Sequence, residues 1–126
     1  MTIADSMTLA EIIDSRVRKI LNDPETPTTP GENPTWATAD LITWWNDFVR
    51  LLYKMRPEAR LDDNGVEIPF SLATAKTDTA IVEAAWAISA GIDYLCYRAF
   101  SMEAGDGRDA ERAQFHYDQF QSGIKL

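Results

Sequence analysis

The sequence predicts an all-α protein: a four-helix bundle with a long central helix hairpin, a proline-rich arm, and a short extended segment between the second and third helices. Three observations support this prediction. In four separate stretches, apolar residues recur three and four positions apart, which is the spacing of one face of an α-helix. Four of the six prolines lie together between the first and second stretches. The break Gly105-Asp106-Gly107 separates the third stretch from the fourth.

The composition is that of one folded domain. The chain has 126 residues, of which 45% are apolar, including four Trp, four Tyr and five Phe. This is enough apolar surface for one hydrophobic core, so we expect a single helical domain over residues 1–126. The lone Cys96 cannot form an internal disulfide, which favours a reducing compartment. The opening sequence MTIADSMTLAEI lacks the basic and apolar regions of a signal peptide, and we expect no membrane segment.

The net charge limits the class of partner. It is −8, with 20 acidic and 12 basic side chains. Tight binding to nucleic acid depends on Lys and Arg side chains that displace counterions from the phosphates. We therefore expect any contact with DNA to be loose or repulsive.

The first helix is predicted over about residues 9–22. Thr8 and Glu11 have the spacing of a capping box at its start. Its apolar face is formed by Leu9, Ile13, Val17 and Ile20, and the charged residues expected to point elsewhere are Asp14, Arg16, Arg18 and Lys19. The proline-rich arm, residues 23–37, follows, because prolines remove backbone donors and exclude a helix. A segment of this kind is either a working loop or a disordered linker, and both interpretations stay open.

The second helix is predicted over about residues 38–56, where Pro57 ends it. Apolar residues cover two of its faces, which is typical of a central helix or of one at a subunit interface. After it, Asp63-Asn64-Gly65 indicates a turn. An alternating set then predicts a short strand or extended arm, and this set is Val66, Ile68, Phe70 and Leu72.

The third and fourth helices are predicted over about residues 79–104 and 107–122. Asp78 would cap the third helix, whose length would be roughly 37 Å. Gly105 would end it and Asp106 would cap the fourth. So short a break between long helices predicts an antiparallel hairpin. Its predicted core is Leu95, Ala99, Ala113, Tyr117 and Phe120.

The sequence offers little that indicates catalysis. His116 is the only histidine, so we expect no enzyme activity, no metal site and no cofactor. Arg112 and His116 resemble part of a helical ribonuclease signature but are more typical of a solvated helix face. The stretch DDNGVE is shorter than a calcium loop and more typical of a plain turn. The Trp44-Trp45 pair could form a ligand platform, although packing is the more common role of such a pair.

Two long stretches carry a resemblance to a known family. They are WATADLITWWNDFVRLLYKMRPEA and AAWAISAGIDYLCYRAFSMEAGDGRDAERAQFHYDQFQSGI, which cover most of residues 36–124. This ordered pattern resembles the head-to-tail adaptor, or connector, proteins of tailed bacteriophages. The residues that match the family pattern are Trp36, Thr38, Leu41, Arg56, Pro57, Ala59, Tyr97, Arg98, Ala99, Phe100, Ser101, Arg112, Ala113, Tyr117 and Phe120.

The resemblance implies a structural virion protein at the neck, where head meets tail, assembled in the host cytoplasm. Proteins of this family form a homo-oligomeric ring, here expected to be a dodecamer, below the portal protein. The ring extends the DNA channel and provides the platform for tail or nozzle proteins, and the genome passes through it without tight binding. The candidate partner contacts are Trp44, Phe70, Ile124, Lys125 and Leu126.

Two features depart from the family pattern. Only residues 60–77 stand where relatives often carry a longer strand-bearing insertion, and only residues 123–126 follow the last helix. These departures leave the peripheral contacts and the docking element open, and the proline-rich arm is a candidate to share the docking role. The alternative function is a small acidic helical binding or regulatory module of the cytosol, which would be a monomer or dimer.

Overall fold

A computed structural model of the chain describes residues 7–21, 36–62, 64–82, 84–102 and 107–125. Within these ranges the chain is mainly helical and has four helices and no β-strand, which confirms the all-α class. Helix α1 consists of three consecutive segments: α-helical Leu9–Ile12, π-helical Ile13–Val17 and α-helical Arg18–Leu21. The other helices are α2 (Thr38–Met55), α3 (Ala85–Met102) and α4 (Gly107–Ile124). None of the helices in these ranges is both long and apolar enough to cross a bilayer.

Helix α1 begins at the predicted cap. The Thr8 hydroxyl accepts a long hydrogen bond of 3.4 Å from the backbone N–H of Glu11. Two further backbone N–H groups at this end of the helix donate to carbonyls far along the chain. Leu9 N donates to the carbonyl of Asp78 and Ala10 N to that of Lys76, both at 2.9 Å. These bonds dock the start of α1 on the segment that leads into α3.

The predicted orientation of two α1 side chains is wrong. Arg18 is buried, with 3% of its surface exposed, while Ile20 is 46% exposed. The cause is the π-helical segment just before them, because an i→i+5 turn holds more residues than an α-turn and rotates the following residues about the helix axis. Arg18 donates to the carbonyl of Trp36 and to the hydroxyl of Thr38, both at 3.0 Å, and so ties α1 to the start of α2.

Helix α2 begins at the predicted residue and ends one residue before the predicted one. Pro57 then opens a short 3₁₀ turn, Pro57–Arg60. Three α2 side chains bond the backbone of the connection to α3. Trp45 Nε1 donates to the carbonyl of Ala80 at 2.8 Å, the Tyr53 hydroxyl donates to the carbonyl of Ile81, and Asn46 both donates to and accepts from Ala73.

Helix α3 starts at Ala85, so the prediction of a helix from residue 79 is wrong. Ala80 and Ile81 give their carbonyls to α2 side chains, and Ile81 has a φ of 68°, which no helical residue adopts. Asp78 does not cap α3, because its carboxylate accepts from the backbone N–H groups of Thr74 and Ala75. These hydrogen bonds lower the pKa of Asp78. With 18 residues, α3 is about 27 Å long, shorter than the predicted length of roughly 37 Å.

The segment predicted as a short strand is extended but forms no strand among the described residues. It makes one isolated antiparallel bridge, between Leu61 and Glu67. Its Val66, Phe70 and Leu72 are exposed and Ile68 is half-buried.

Helices α3 and α4 pack antiparallel. Tyr97 meets Tyr117 with ring centroids 4.9 Å apart, and Tyr94 meets Phe120 at 5.2 Å. The later residue of α3 therefore contacts the earlier residue of α4, as in an antiparallel pair. Within the predicted hairpin core, Tyr117 is half-buried and the buried members are Leu95, Ala99, Ala113 and Phe120. Helix α3 also contacts α1 and α2. The predicted break at Gly105 and the cap Asp106 lie outside the described residues, as do residues 23–35 of the proline-rich arm.

Candidate interaction surface

The connection between the 3₁₀ turn and the buried Ala73 presents large apolar side chains to solvent. We call residues 61–72 the apolar connection. Its four exposed apolar residues have between 40% and 60% of their surface accessible, and they are Leu61, Val66, Phe70 and Leu72. Single exposed apolar residues are common on protein surfaces, but four within twelve residues of one segment form a candidate contact surface for a partner.

A tight turn shapes the first half of the apolar connection. The Asp62 carboxylate accepts from the backbone N–H groups of Asn64, at 2.8 Å, and Val66, at 2.9 Å. Gly65 has a φ of 78°, which a residue with a side chain rarely adopts. The Asp62 oxygen is therefore engaged with the backbone, as in an ordinary Asx turn.

The base of the apolar connection is fixed against α2. Ile68 N donates to the carbonyl of Arg60 at 2.6 Å, and the Arg60 guanidinium pairs with Glu67 and lies 5.6 Å above the Tyr53 ring. Phe70 meets the same Tyr53 ring edge-on, with centroids 6.0 Å apart. The Tyr53 hydroxyl donates to the carbonyl of Ile81, so this side chain contacts both the apolar connection and the backbone just before α3. Burial raises the pKa of Tyr53.

At its far end, the apolar connection leads into a depression of about 450 Å³. Ala73 is held there by the side chain of Asn46. The lining is mainly polar and consists of Ser71, Leu72, Ala73, Thr74, Thr77, Asp78, Thr79 and Ile81. Leu72 thus stands at the rim of a polar depression with half of its surface exposed.

Two of the five predicted partner contacts are covered by the fold. Trp44 is 6% exposed and lies beneath the Arg98 guanidinium, 5.4 Å from its ring centroid, so the prediction that it offers a contact surface is wrong. Ile124 is also buried, and its carbonyl accepts from Arg56 at 3.0 Å. Phe70 and Lys125 are exposed. Leu126 lies outside the described residues.

The two residues of the ribonuclease-like pattern contact α3. His116 Nδ1 lies 2.9 Å from Asp93 Oδ1, and its ring stacks on Phe100 with centroids 5.7 Å apart. Arg112 lies 5.7 Å from the centroid of the same Phe100 ring. His116 is buried against α3, so the prediction of a solvated helix face is wrong for this residue, whereas Arg112 is exposed. Packing accounts for His116.

The described residues contain no group of three or more His, Cys, Asp and Glu side chains placed to hold a metal ion.

Cys96 is fully buried in α3. Burial, reinforced by the negative charge of Asp93, raises the pKa of the Cys96 thiol to about 12. The thiol is therefore protonated at neutral pH and a poor nucleophile.

Sequence analysis missed the buried polar side chains that organise the connection. Asn46 lies on the same face of α2 as the apolar Ile42 and Val49, and this break in the apolar pattern was the available signal. Buried polar groups need hydrogen-bond partners, so an amide at a core position indicates an irregular backbone segment beside it.

Comparison with protein families, with characterised proteins and with solved structures finds no match to this chain. Function is therefore inferred from the residues and their geometry.

Proposed function

We propose that this chain is a head-to-tail adaptor of a tailed bacteriophage, which forms a ring below the portal and provides the platform for tail attachment. The observation that carries the proposal is the apolar connection, because its four exposed apolar side chains project from a base fixed to α2. Such a surface suits a lasting contact with another protein. The proposed partners are neighbouring copies in a dodecamer, the portal protein, and tail or nozzle proteins.

The family pattern of residues 36–124 gives further support. Two of its three arginines join separate helices: Arg56 donates to the carbonyl of Ile124 and lies 5.4 Å from the Trp86 ring, while Arg98 lies near the rings of Trp44 and Tyr94. These two arginines thus contact side chains and backbone that are far from them in sequence. We further propose that the four helices form a bundle with the α3–α4 hairpin at its centre, as in the adaptor family.

The net charge of −8 suits a conduit for DNA. Carboxylates that face a channel repel phosphates, so a passing genome would slide and not adhere. In this proposal the protein acts in the virion neck by geometry and charge, without catalysis and without a cofactor.

The experiment is a mass measurement of the purified chain, alone and mixed with the portal ring of the phage that encodes it. We expect a high oligomer bound to the portal. The triple variant Val66→Ser, Phe70→Ser, Leu72→Ser should weaken this assembly at least tenfold while the subunit stays folded. Met102→Ser is the matched control, because Met102 is 71% exposed but lies on α3, outside the apolar connection.

Three outcomes would contradict the proposal. One is a wild-type chain that stays a monomer or dimer beside the portal, which would favour the cytosolic binding module. Another is absence of the chain from purified virions. The third is RNA cleavage by the pure protein that is lost on His116→Ala, which would favour a ribonuclease.

A further inference from the structure

The outward face of α4 carries an apolar side chain between two acidic ones. Phe115 is 57% exposed, and the exposed Glu111 and Asp118 lie one turn before it and one turn after it. Helical spacing places these three residues on one face, opposite the buried Ala113 and Phe120. We call Glu111, Phe115 and Asp118 the acidic stripe.

Two described neighbours of the acidic stripe are Gln114 and Arg112. Asp118 accepts a hydrogen bond from the neutral amide of Gln114 at 2.9 Å. Arg112 is the basic residue nearest to Glu111 in sequence, and its guanidinium lies over Phe100 on the side of α4 that faces α3.

The end of α1 carries the opposite arrangement. Ile20 is 46% exposed, the exposed Arg16 lies one turn before it on the helix, and the exposed Lys19 precedes it in sequence. The acidic residues of α1 are engaged elsewhere, since Asp14 pairs with Lys76 at 2.8 Å and Glu11 accepts from Thr8. We call Arg16, Lys19 and Ile20 the basic patch.

We propose that the basic patch of one subunit docks on the acidic stripe of a second copy of this chain. Each surface combines one exposed apolar side chain with two like charges, and the two surfaces carry opposite charge. Both surfaces are exposed in one subunit, so both stay available to a second copy. A contact between two different surfaces is head-to-tail, and repeated contacts of this kind close into a ring when the rotation fits. The inference rests on the proposed ring and names its lateral interface.

Charge reversal tests the contact. Variant A carries Arg16→Glu and Lys19→Glu, so both of its surfaces are acidic. Variant B carries Glu111→Lys and Asp118→Lys, so both of its surfaces are basic. We expect each variant alone to assemble at least tenfold more weakly than the wild type by mass photometry. An equimolar mixture should recover the assembly, because every A–B contact again joins opposite charges, in rings where A and B alternate.

The control for variant A is Arg50→Glu with Lys54→Glu on α2. It makes the same change in net charge at two exposed residues outside both surfaces, and it should assemble like the wild type.

A second test needs no charge change: Phe115→Ala and Ile20→Ala remove only exposed side chains and should each weaken assembly at least threefold with unchanged thermal unfolding. Circular dichroism of each variant checks that the helices are intact.

The outcomes separate this inference from the proposed function. Two outcomes would overturn the lateral contact and leave the adaptor proposal standing. In one, variants A and B each form rings as the wild type does. In the other, the mixture of A and B fails to recover assembly although both are folded. A wild-type chain that forms no oligomer with or without the portal ring would overturn both.

Discussion

At the scale of single residues, one amide connects α2 to the backbone that leads into α3. Asn46 Nδ2 donates to the carbonyl of Ala73 at 2.9 Å, and Ala73 N donates to Asn46 Oδ1 at 3.0 Å. Both residues are buried, so water cannot replace either bond. The amide side chain thus makes two hydrogen bonds with the Ala73 backbone, as a neighbouring strand would, and it fixes the backbone where the apolar connection ends.

Asn46→Ala should destabilise the protein by about 2–4 kcal/mol, because it leaves a buried N–H and a buried carbonyl without partners. Chemical denaturation measures the change in the free energy of unfolding. Thr43→Ala is the control on the same helix, because its exposed hydroxyl only bonds the Ala39 carbonyl one turn back, and it should cost less than about 0.5 kcal/mol. Equal effects of the two substitutions would contradict the role given to Asn46.

Gly91→Ala should also be destabilising, although alanine is the better helix former. A Cβ atom at residue 91 would lie 2.6 Å from Trp45 Cη2 and 2.7 Å from Phe48 Cε2, too close for either ring. We expect a net loss of about 1–3 kcal/mol after the propensity gain of about 1 kcal/mol. Ser89→Ala, at an exposed position of α3, is the control and should be neutral or slightly stabilising. A more stable Gly91→Ala protein would show that the two rings can move apart.

Cys96 predicts a loss of stability at alkaline pH. Its pKa is raised from 9.0 to about 12 in the fold, so the folded state holds the thiol proton more tightly than the unfolded state does. This stabilisation is complete below pH 9 and is lost as the pH rises from 9 toward 12. Between pH 8 and pH 10, the wild type should lose about 1.4 kcal/mol more than Cys96→Ala does. Identical losses in both proteins would contradict a buried, protonated thiol.

At the scale of helices, the parts predicted well are those with a regular apolar period. Helix α2 and the facing stripes of α3 and α4 are such parts, because burial of one face decides both their type and their partner. The start of α3 was mispredicted because side chains of α2, far away in sequence, hold residues 80 and 81 out of the helix. The faces at the end of α1 were mispredicted because a π-helical segment has no recognised sequence signal.

The α3–α4 hairpin predicts unequal effects of two phenylalanines on one helix. Phe120 is buried, with its ring centroid 5.2 Å from Tyr94 and 6.1 Å from Phe48, so Phe120→Ala should cost about 3–5 kcal/mol. Phe115→Ala should cost less than about 0.5 kcal/mol, because its ring is mostly exposed. Half-buried Tyr117 should fall between them. Thermal and chemical unfolding measure all three, and a cost below about 0.5 kcal/mol for Phe120→Ala would contradict the packing of the hairpin.

At the scale of the whole molecule, the excess of carboxylates over basic groups predicts how the protein meets DNA. With a net charge of −8, we expect no binding to a 30-base-pair duplex at concentrations up to about 100 μM in 150 mM salt, measured by fluorescence anisotropy. Variant B, with two carboxylates replaced by lysines, should remain unable to bind, since its net charge stays negative. Micromolar binding by the wild type would contradict a repulsive channel.

The docking of α1 has a consequence for the timing of folding during synthesis. The first backbone donors of this helix bond Lys76 and Asp78, and Ala80 N bonds the carbonyl of Met7, so α1 waits for a segment made some seventy residues later. A helix this short is marginal alone in water. Nascent α1 therefore leaves the ribosome without its partners and joins the domain late, and folding proceeds by contacts of large sequence separation, which slow it.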